Sequence, residues 1–239
     1  MNKDWWKWGD SKAYEHVNNY PQLRQICIDR FGMNPKEDFH PPHDFNILSV
    51  SESDQEFILN SFQAISKTQI NFSDEARLIS ALGKSYQDVI RIFKDYKIDV
   101  PHVVLRPNNH DEVQAIITAA DQHNITIVPI GGQTNVVGAL TIDGNQKRKV
   151  VYLDLTNMSK LLAIDEVNMI ATFQAGVYGP HLENQLKPYG LTLGHFPQSF
   201  EFSTLGGWVV TRSAGQESTY YGKIEDMVVS LKVATPKGT

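Results

Sequence analysis

One junction constrains this chain more than any other feature. An apolar run from Ile125 to Ile130 ends without transition in Gly131-Gly132-Gln133-Thr134-Asn135. A branched run of that length reads as a buried strand, and paired glycines at its end let backbone approach something that side chains would hold away. Successive amide N–H groups in such a loop can form an anion nest, with the Thr134 hydroxyl as an added donor. Taken alone, a Gly-Gly pair after a strand more often closes an ordinary tight turn. The common nucleotide signatures do not compete for the role, since the chain has neither G-x-x-x-x-G-K-[ST] nor a G-x-G-x-x-G opening a helix.

The surrounding pattern alternates strand and helix. Val103-Val104-Leu105 reads as a short strand, and Asn109 caps a helix with Glu112 in the capping-box position and Val113, Ile116, Ile117 and Ala120 as its buried stripe. Val150 to Leu155 is another strand. Leu161 to Ile164 and Met169 to Gln174 form a hairpin around Val167-Asn168, and Pro180 opens a helix through Lys187. Met227 to Ala234 reads as a final strand leading into a Thr235-Pro236-Lys237-Gly238 turn with no returning strand after it. The expectation is therefore the front part of a longer protein with an open sheet edge, inactive alone and prone to associate. Upstream of Pro101 the chain is polar and Pro-rich. A helix from Asp74 to Tyr96 breaks near Gly83 and restarts with Ser85 as N-cap and Asp88 three residues on. Trp5, Trp6 and Trp8 are expected to pack an N-terminal arm. His40-Pro41-Pro42-His43 is an extended segment lacking the ligands of a metal site, so no metal is expected. This gives an α+β chain with a partly helical region over 1–100 and a second unit over 101–239.

Composition narrows the function. Lys+Arg 22 against Asp+Glu 27 leaves a net charge of −5, which disfavours nucleic-acid partners. A single cysteine, Cys27, fits a reducing compartment, and no run spans a bilayer or resembles a secretory leader, so a cytoplasmic protein is expected. Lys147-Arg148-Lys149 could attract a phosphorylated substrate but reads first as a solvated loop.

A second segment carries chemistry: Gly194-His195-Phe196-Pro197-Gln198-Ser199-Phe200-Glu201-Phe202-Ser203-Thr204-Leu205-Gly206-Gly207-Trp208, continuing to Thr211-Arg212-Ser213-Ala214-Gly215. Small and hydroxyl residues stand where a buried element wants branched hydrophobes, interleaved with Phe200, Phe202, Leu205 and Trp208. Backbone and hydroxyl donors then face something polar inside an apolar lining, as in a cofactor pocket. His195 reads as a hydrogen-bonded structural histidine.

Pro129 to Thr134, Gly194 to Pro197, Phe200 to Trp208, Thr211-Arg212 and Tyr221-Gly222-Lys223-Ile224-Glu225-Asp226 closely resemble the alkyldihydroxyacetonephosphate synthase family of FAD-linked proteins, in the vanillyl-alcohol-oxidase/p-cresol-methylhydroxylase superfamily. Trp8-Gly9-Asp10-Ser11-Lys12 and Ala81 to Tyr86 extend the likeness forward. The resemblance implies a two-subdomain FAD-binding fold, cut before it is complete. It also implies cofactor contacts at Pro129, Ile130, Gly131, Gly132, Gln133, Thr134 and Asn135. Further contacts fall at Gln198, Ser199, Phe200, Glu201, Phe202, Ser203 and Thr204, and at Thr211, Arg212, Ser213 and Ala214. Gln133 and Asn135 replace the family's usual glycine and serine, and Gln198 replaces its aspartate. Relatives that tether FAD carry a histidine where Gln133 stands, so FAD is expected to bind noncovalently. The family's third cofactor segment, substrate cap and catalytic tyrosine and histidines correspond to positions beyond Thr239. The implied activity is exchange of acyl for alkyl on dihydroxyacetone phosphate, in ether-lipid synthesis, without net redox. The substrate would then be small or lipid-derived, with room for peripheral membrane contact and homo-oligomers. The alternatives are a flavin oxidase or dehydrogenase of a 2-hydroxy acid such as D-lactate or glycolate, and a non-catalytic nucleotide-binding fragment.

Overall fold

In the computed structural model the described residues are 6, 21–32, 47–94 and 98–239. Trp5, Trp8, the 8–12 segment, His40 to His43 and Tyr96 lie outside them. The elements run α1 (Pro21–Phe31), α2 (Glu52–Ser61), β1 (Ile70–Asn71), α3 (Asp74–Ser80), α4 (Tyr86–Phe93), β2 (Val103–Leu105), α5 (His110–Gln122) and β3 (Thr126–Ile130). They continue with β4 (Val150–Asp154), β5 (Leu161–Asp165), β6 (Ile170–Phe173), α6 (Gly179–Leu186), α7 (Leu205–Thr211), α8 (Ser218–Tyr221) and α9 (Ile224–Met227).

The first half is a four-stranded sheet in the order β1-β2-β4-β3, with β2, β4 and β3 parallel and β1 antiparallel on β2. Central β4 is buried along its whole length, as expected where helices or loops cover both faces of a parallel sheet. Its residues divide by parity. Val151 and Leu153 join Val103 and Leu105 on one face, under Ile116 and Ala120 of α5, Ile58 of α2 and Phe62 at its C-cap. Tyr152 joins Val104, Ile130 and Leu140 on the other. The core therefore crosses residue 100: α2, β1 and Arg77 belong to it. Arg77 is 4% exposed and ties Leu48 O, Asp74 and Pro101 O together at 2.8 Å each.

Local chemistry sets the helix starts. Ser85 caps α4 in a full capping box with Asp88, and Asn109 Oδ1 accepts the Glu112 amide at 2.9 Å. The Glu112 carboxylate accepts the Asn108 amide (2.8 Å) and Gln69 on Oε2 and the Asn109 side-chain amide (3.0 Å) on Oε1, rather than the Asn109 backbone N–H of a reciprocal box. The break between α3 and α4 falls where Gly83 meets Asn135: a side chain there would come within 2.6 Å of the Asn135 carbonyl oxygen, and the Lys84 amide donates to that oxygen at 2.8 Å.

Two strand expectations change. The run 125–130 is an edge strand, half-buried rather than buried, with Pro129 exposed. An edge tolerates a residue that cannot donate to a ladder. The segment from Met227 to Ala234 is not a strand: α9 takes Met227, residues 228–234 join no sheet among the described residues, and Val229, Leu231 and Val233 are exposed. Branched residues supply strand propensity, but a strand exists only against a partner. The Thr235–Gly238 turn does form, closed by backbone bonds of 2.9 and 3.0 Å.

The second half packs the β5–β6 hairpin with α6, α7 and α9 around Val177, Leu182, Leu186, Trp208 and Ile224. Pro180 sits in the first turn of α6, where its missing N–H costs nothing.

Candidate functional site

The glycine loop leaves β3 at the carboxyl end of the parallel strands, the end at which open α/β sheets bind ligands. It runs against Phe202 to Thr204 of the second half. A Cβ on Gly132 would overlap the Phe202 carbonyl oxygen and stand 2.8 Å from its carbon; one on Gly131 would overlap Thr204 Oγ1. The pair is required first for the chain's own close approach. Neither glycine is left-handed, whereas Gln133 is, at φ 57°. Gln133 holds that conformation at a cost of about 1–3 kcal/mol, which a glycine there would not bear. Among the described residues, no amide from Gly131 to Val137 donates to a protein acceptor, while the Ile130 and Asn135 carbonyls are both used, by Leu155 and Lys84. The loop is half-buried. Consecutive donors without acceptors, beside a wall too close for side chains, suit a phosphate group.

The 194–214 segment is built differently from the expected row of free donors. Trp208, 2% exposed, donates from Nε1 to Ser203 Oγ at 2.6 Å, and Ser203 donates on to Ser199 O at 2.8 Å. Thr204 caps α7, and its backbone bridges Tyr178. Leu205 N and Gly206 N donate to Val177 O (2.9 Å) and Ala175 O (2.7 Å), pinning the segment to the hairpin half. His195, 1% exposed, pairs its Nε2 with Ser213 Oγ at 2.7 Å and lies edge-on to Trp208. Its Nδ1 is buried without a partner among the described residues, and burial holds the ring below the ordinary imidazole pKa. The hydroxyls of Ser199, Ser203 and Ser213 therefore serve the protein's own framework. Phe200 stacks on Trp208. Gln198, Glu201, Thr211 and Ala214 are exposed, and Arg212 forms an exposed ion pair with Glu225 at 3.0 Å.

The structure thus brings Gly131 and Gly132 together with 202–204 at one seam and joins 213 to 195, while 211, 212 and 214 lie on the outer side of the same segment. Three contributions were not read from the sequence. Gly83-Lys84 buttresses Asn135 from the N-terminal region. Tyr178 bridges to Thr204. Asp154, 5% exposed, stands in register with Ile130 and holds Arg106 Nε at 2.8 Å. Asp154 gave a signal as the acidic end of an apolar strand, and Gly83-Lys84 lay in the stretch that extends the likeness forward. Lys149 pairs with Asp54 and lies over the Phe57 ring, 5.5 Å from its centroid. It precedes β4, so it sits at the opposite end of the parallel strands from the glycine loop, about 16 Å away along five residues.

Residues 101–239, more than half of the chain, match the family model described as an FAD binding domain. The chain belongs to that FAD-binding family. It is 44% identical over 164 residues to alkyldihydroxyacetonephosphate synthase of Dictyostelium discoideum, covering 69% of this chain and 27% of that protein. A solved alkyldihydroxyacetonephosphate synthase superposes with a TM-score of 0.80 at 36% identity, over 91% of this chain and 42% of the other. The p-cresol methylhydroxylase structure shares the fold, with a TM-score of 0.54 at 16% identity. The chain therefore spans between a quarter and a half of these relatives' lengths. FAD is the cofactor this family binds, and the acceptor-free amides of the glycine loop fit its pyrophosphate. No helix among the described residues is long and apolar enough to cross a membrane.

Proposed function

We propose that this chain is the forward part of an FAD enzyme that exchanges acyl for alkyl on dihydroxyacetone phosphate, the reaction type of ether-lipid synthesis. The single observation that carries this reading is the 44% identity to a synthase over most of the chain, supported by the glycine loop seated on Phe202 to Thr204. In such an enzyme the flavin, when bound, supplies the reactive ring. The residues here bind and orient it: amides 131–135 take phosphate, and the Trp208–Ser203–Ser199 relay keeps the facing wall rigid. FAD is held noncovalently, because an amide side chain at Gln133 cannot form the tether that a histidine forms. The substrate is a phosphorylated, lipid-derived molecule. The lone cysteine, Cys27, supports a reducing, cytoplasmic setting.

The test is to purify the intact protein, saturate it with FAD, precipitate it with acid, and assay acyl-for-alkyl exchange in parallel. The reading predicts exchange activity and release of all flavin into the supernatant. Flavin retained on the denatured chain overturns noncovalent binding; turnover of a 2-hydroxy acid without exchange overturns the synthase assignment.

A further inference from the structure

The carboxyl ends of the parallel strands also hold a formal cation, Arg106, directly after β2. By register, Leu105 of β2 lies beside Leu153 of β4, and Asp154 beside Ile130 of β3. Arg106, Asp154 and Ile130 consequently follow in one row, strand by strand, with Gly131 one residue on, and at about 4.8 Å per strand Arg106 stands roughly 10 Å from the start of the glycine loop. An arginine side chain spans most of that distance.

What holds Arg106 leaves its binding edge open. Asp154 takes the Arg106 Nε on Oδ2 at 2.8 Å, while its Oδ1 accepts Thr156 N and Oγ1 at 3.0 and 2.7 Å. The buried carboxylate is thereby filled, and it pins the guanidinium by one N–H. Among the described residues, Nη1 and Nη2 have no acceptor, and the side chain is 45% exposed. Tyr178 bridges Thr204, whose hydroxyl occupies the space beside Gly131. Arg106 and Asp154 thus stand at the carboxyl ends of β2 and β4, and the glycine loop with Thr204 against it stands at the carboxyl end of the next strand, β3. An ion pair that merely braced a surface would gain little. A guanidinium fixed at Nε keeps four N–H donors on Nη1 and Nη2, two of them parallel, which match two oxygens of a phosphate.

We propose that Arg106, positioned by Asp154, is a phosphate-binding side chain that supplies the full positive charge which the partial charges of the loop amides lack. The phosphate belongs either to the pyrophosphate of FAD or to the ester of a phosphorylated substrate, and in both forms the inference rests on the FAD reading above.

Arg106→Gln tests it in the intact protein, because a glutamine amide can still donate to Asp154 while the charged fork is lost. FAD and riboflavin, which has no phosphate, are titrated at low and high salt, and inorganic phosphate is then added to the flavin-loaded protein. If Arg106 serves the pyrophosphate, the substitution weakens FAD on the order of 10- to 100-fold, leaves riboflavin unchanged and flattens the salt dependence of FAD binding. If it serves a substrate, FAD affinity is unchanged, and inorganic phosphate perturbs the flavin spectrum of the wild type but not of the variant. Equal response of variant and wild type to FAD, riboflavin and phosphate overturns the proposal and leaves the FAD reading standing. Failure of the wild type to bind FAD overturns both. Should the glutamine variant not fold, Arg106→Lys, which keeps a point charge without the fork, carries the same arms with a smaller loss, and no loss in any arm overturns the proposal.

Discussion

Replacing Gly132 by alanine should separate the two walls of the cofactor seam. The new Cβ would overlap the Phe202 carbonyl oxygen and stand 2.8 Å from its carbon and 3.0 Å from Ser203 Cα. Carbon pairs settle at about 3.5–4.0 Å, so the backbones must part by roughly 1 Å, and no flexible side chain is there to absorb the shift. Overpacking of this kind costs about 1–3 kcal/mol. Displacing the 202–206 stretch also strains the Leu205–Val177 and Gly206–Ala175 bonds of 2.9 and 2.7 Å, each worth about 0.5–1.5 kcal/mol. Alanine recovers about 0.4–1 kcal/mol through the unfolded chain. The net expectation is a loss of about 2–4 kcal/mol in chemical denaturation, together with loss of FAD binding. Gly207→Ala is the matched control: inside α7 its Cβ meets only Thr204 Oγ1, at 3.3 Å, and helix preference favours alanine by about 1 kcal/mol. Equal stability of Gly132→Ala and wild type, within about 0.5 kcal/mol, would refute the close packing of loop on wall.

Gln133→Gly should raise stability by about 0.5–1 kcal/mol, since relief of the φ 57° strain exceeds the added entropy of glycine in the unfolded chain; a lower melting temperature would contradict this. Ser203→Ala should cost about 1–3 kcal/mol by orphaning the buried Trp208 Nε1, checked by denaturation followed through tryptophan fluorescence. Stability should also fall on acidification. His102 Nδ1 accepts the Val150 amide at 3.1 Å, as only the neutral ring can, and burial, with Lys149 second, holds its pKa below the ordinary value; burial does the same for His195. The unfolded chain takes up protons near pH 6.5 that the folded chain refuses. Stability is therefore complete above about pH 6.5 and declines as the pH drops toward the lowered folded values, and a His102→Gln, His195→Gln double variant should show a flatter profile.

What could be read from the sequence was what local chemistry decides. The caps at Ser85 and Asn109, the α5 stripe, the hairpin turn at Val167-Asn168 and the strand-to-glycine junction each depend on neighbours within a few residues, and the structure has them. What depends on distant partners was not legible. β3 is an edge strand because β4 inserts between it and β2, which no pattern within 125–130 reveals. Residues 228–234 carry strand propensity without a partner strand among the described residues. The serines of the 198–213 segment read as donors awaiting a cofactor, yet Trp208 and His195 claim them, because a buried indole N–H or imidazole requires a partner wherever the fold places it. Gly132 was legible as a close approach; that its first neighbour is the Phe202 backbone was not.

Amide hydrogen exchange across the intact protein, with and without saturating FAD, tests the central claim most directly, because the loop amides that lack protein acceptors should be the ones a bound pyrophosphate protects. The account predicts marked slowing on FAD addition in peptides covering 131–135 and 198–204, with little change over α2 on the far side of the core. Unchanged exchange at 131–135 in protein shown to hold stoichiometric FAD would contradict it.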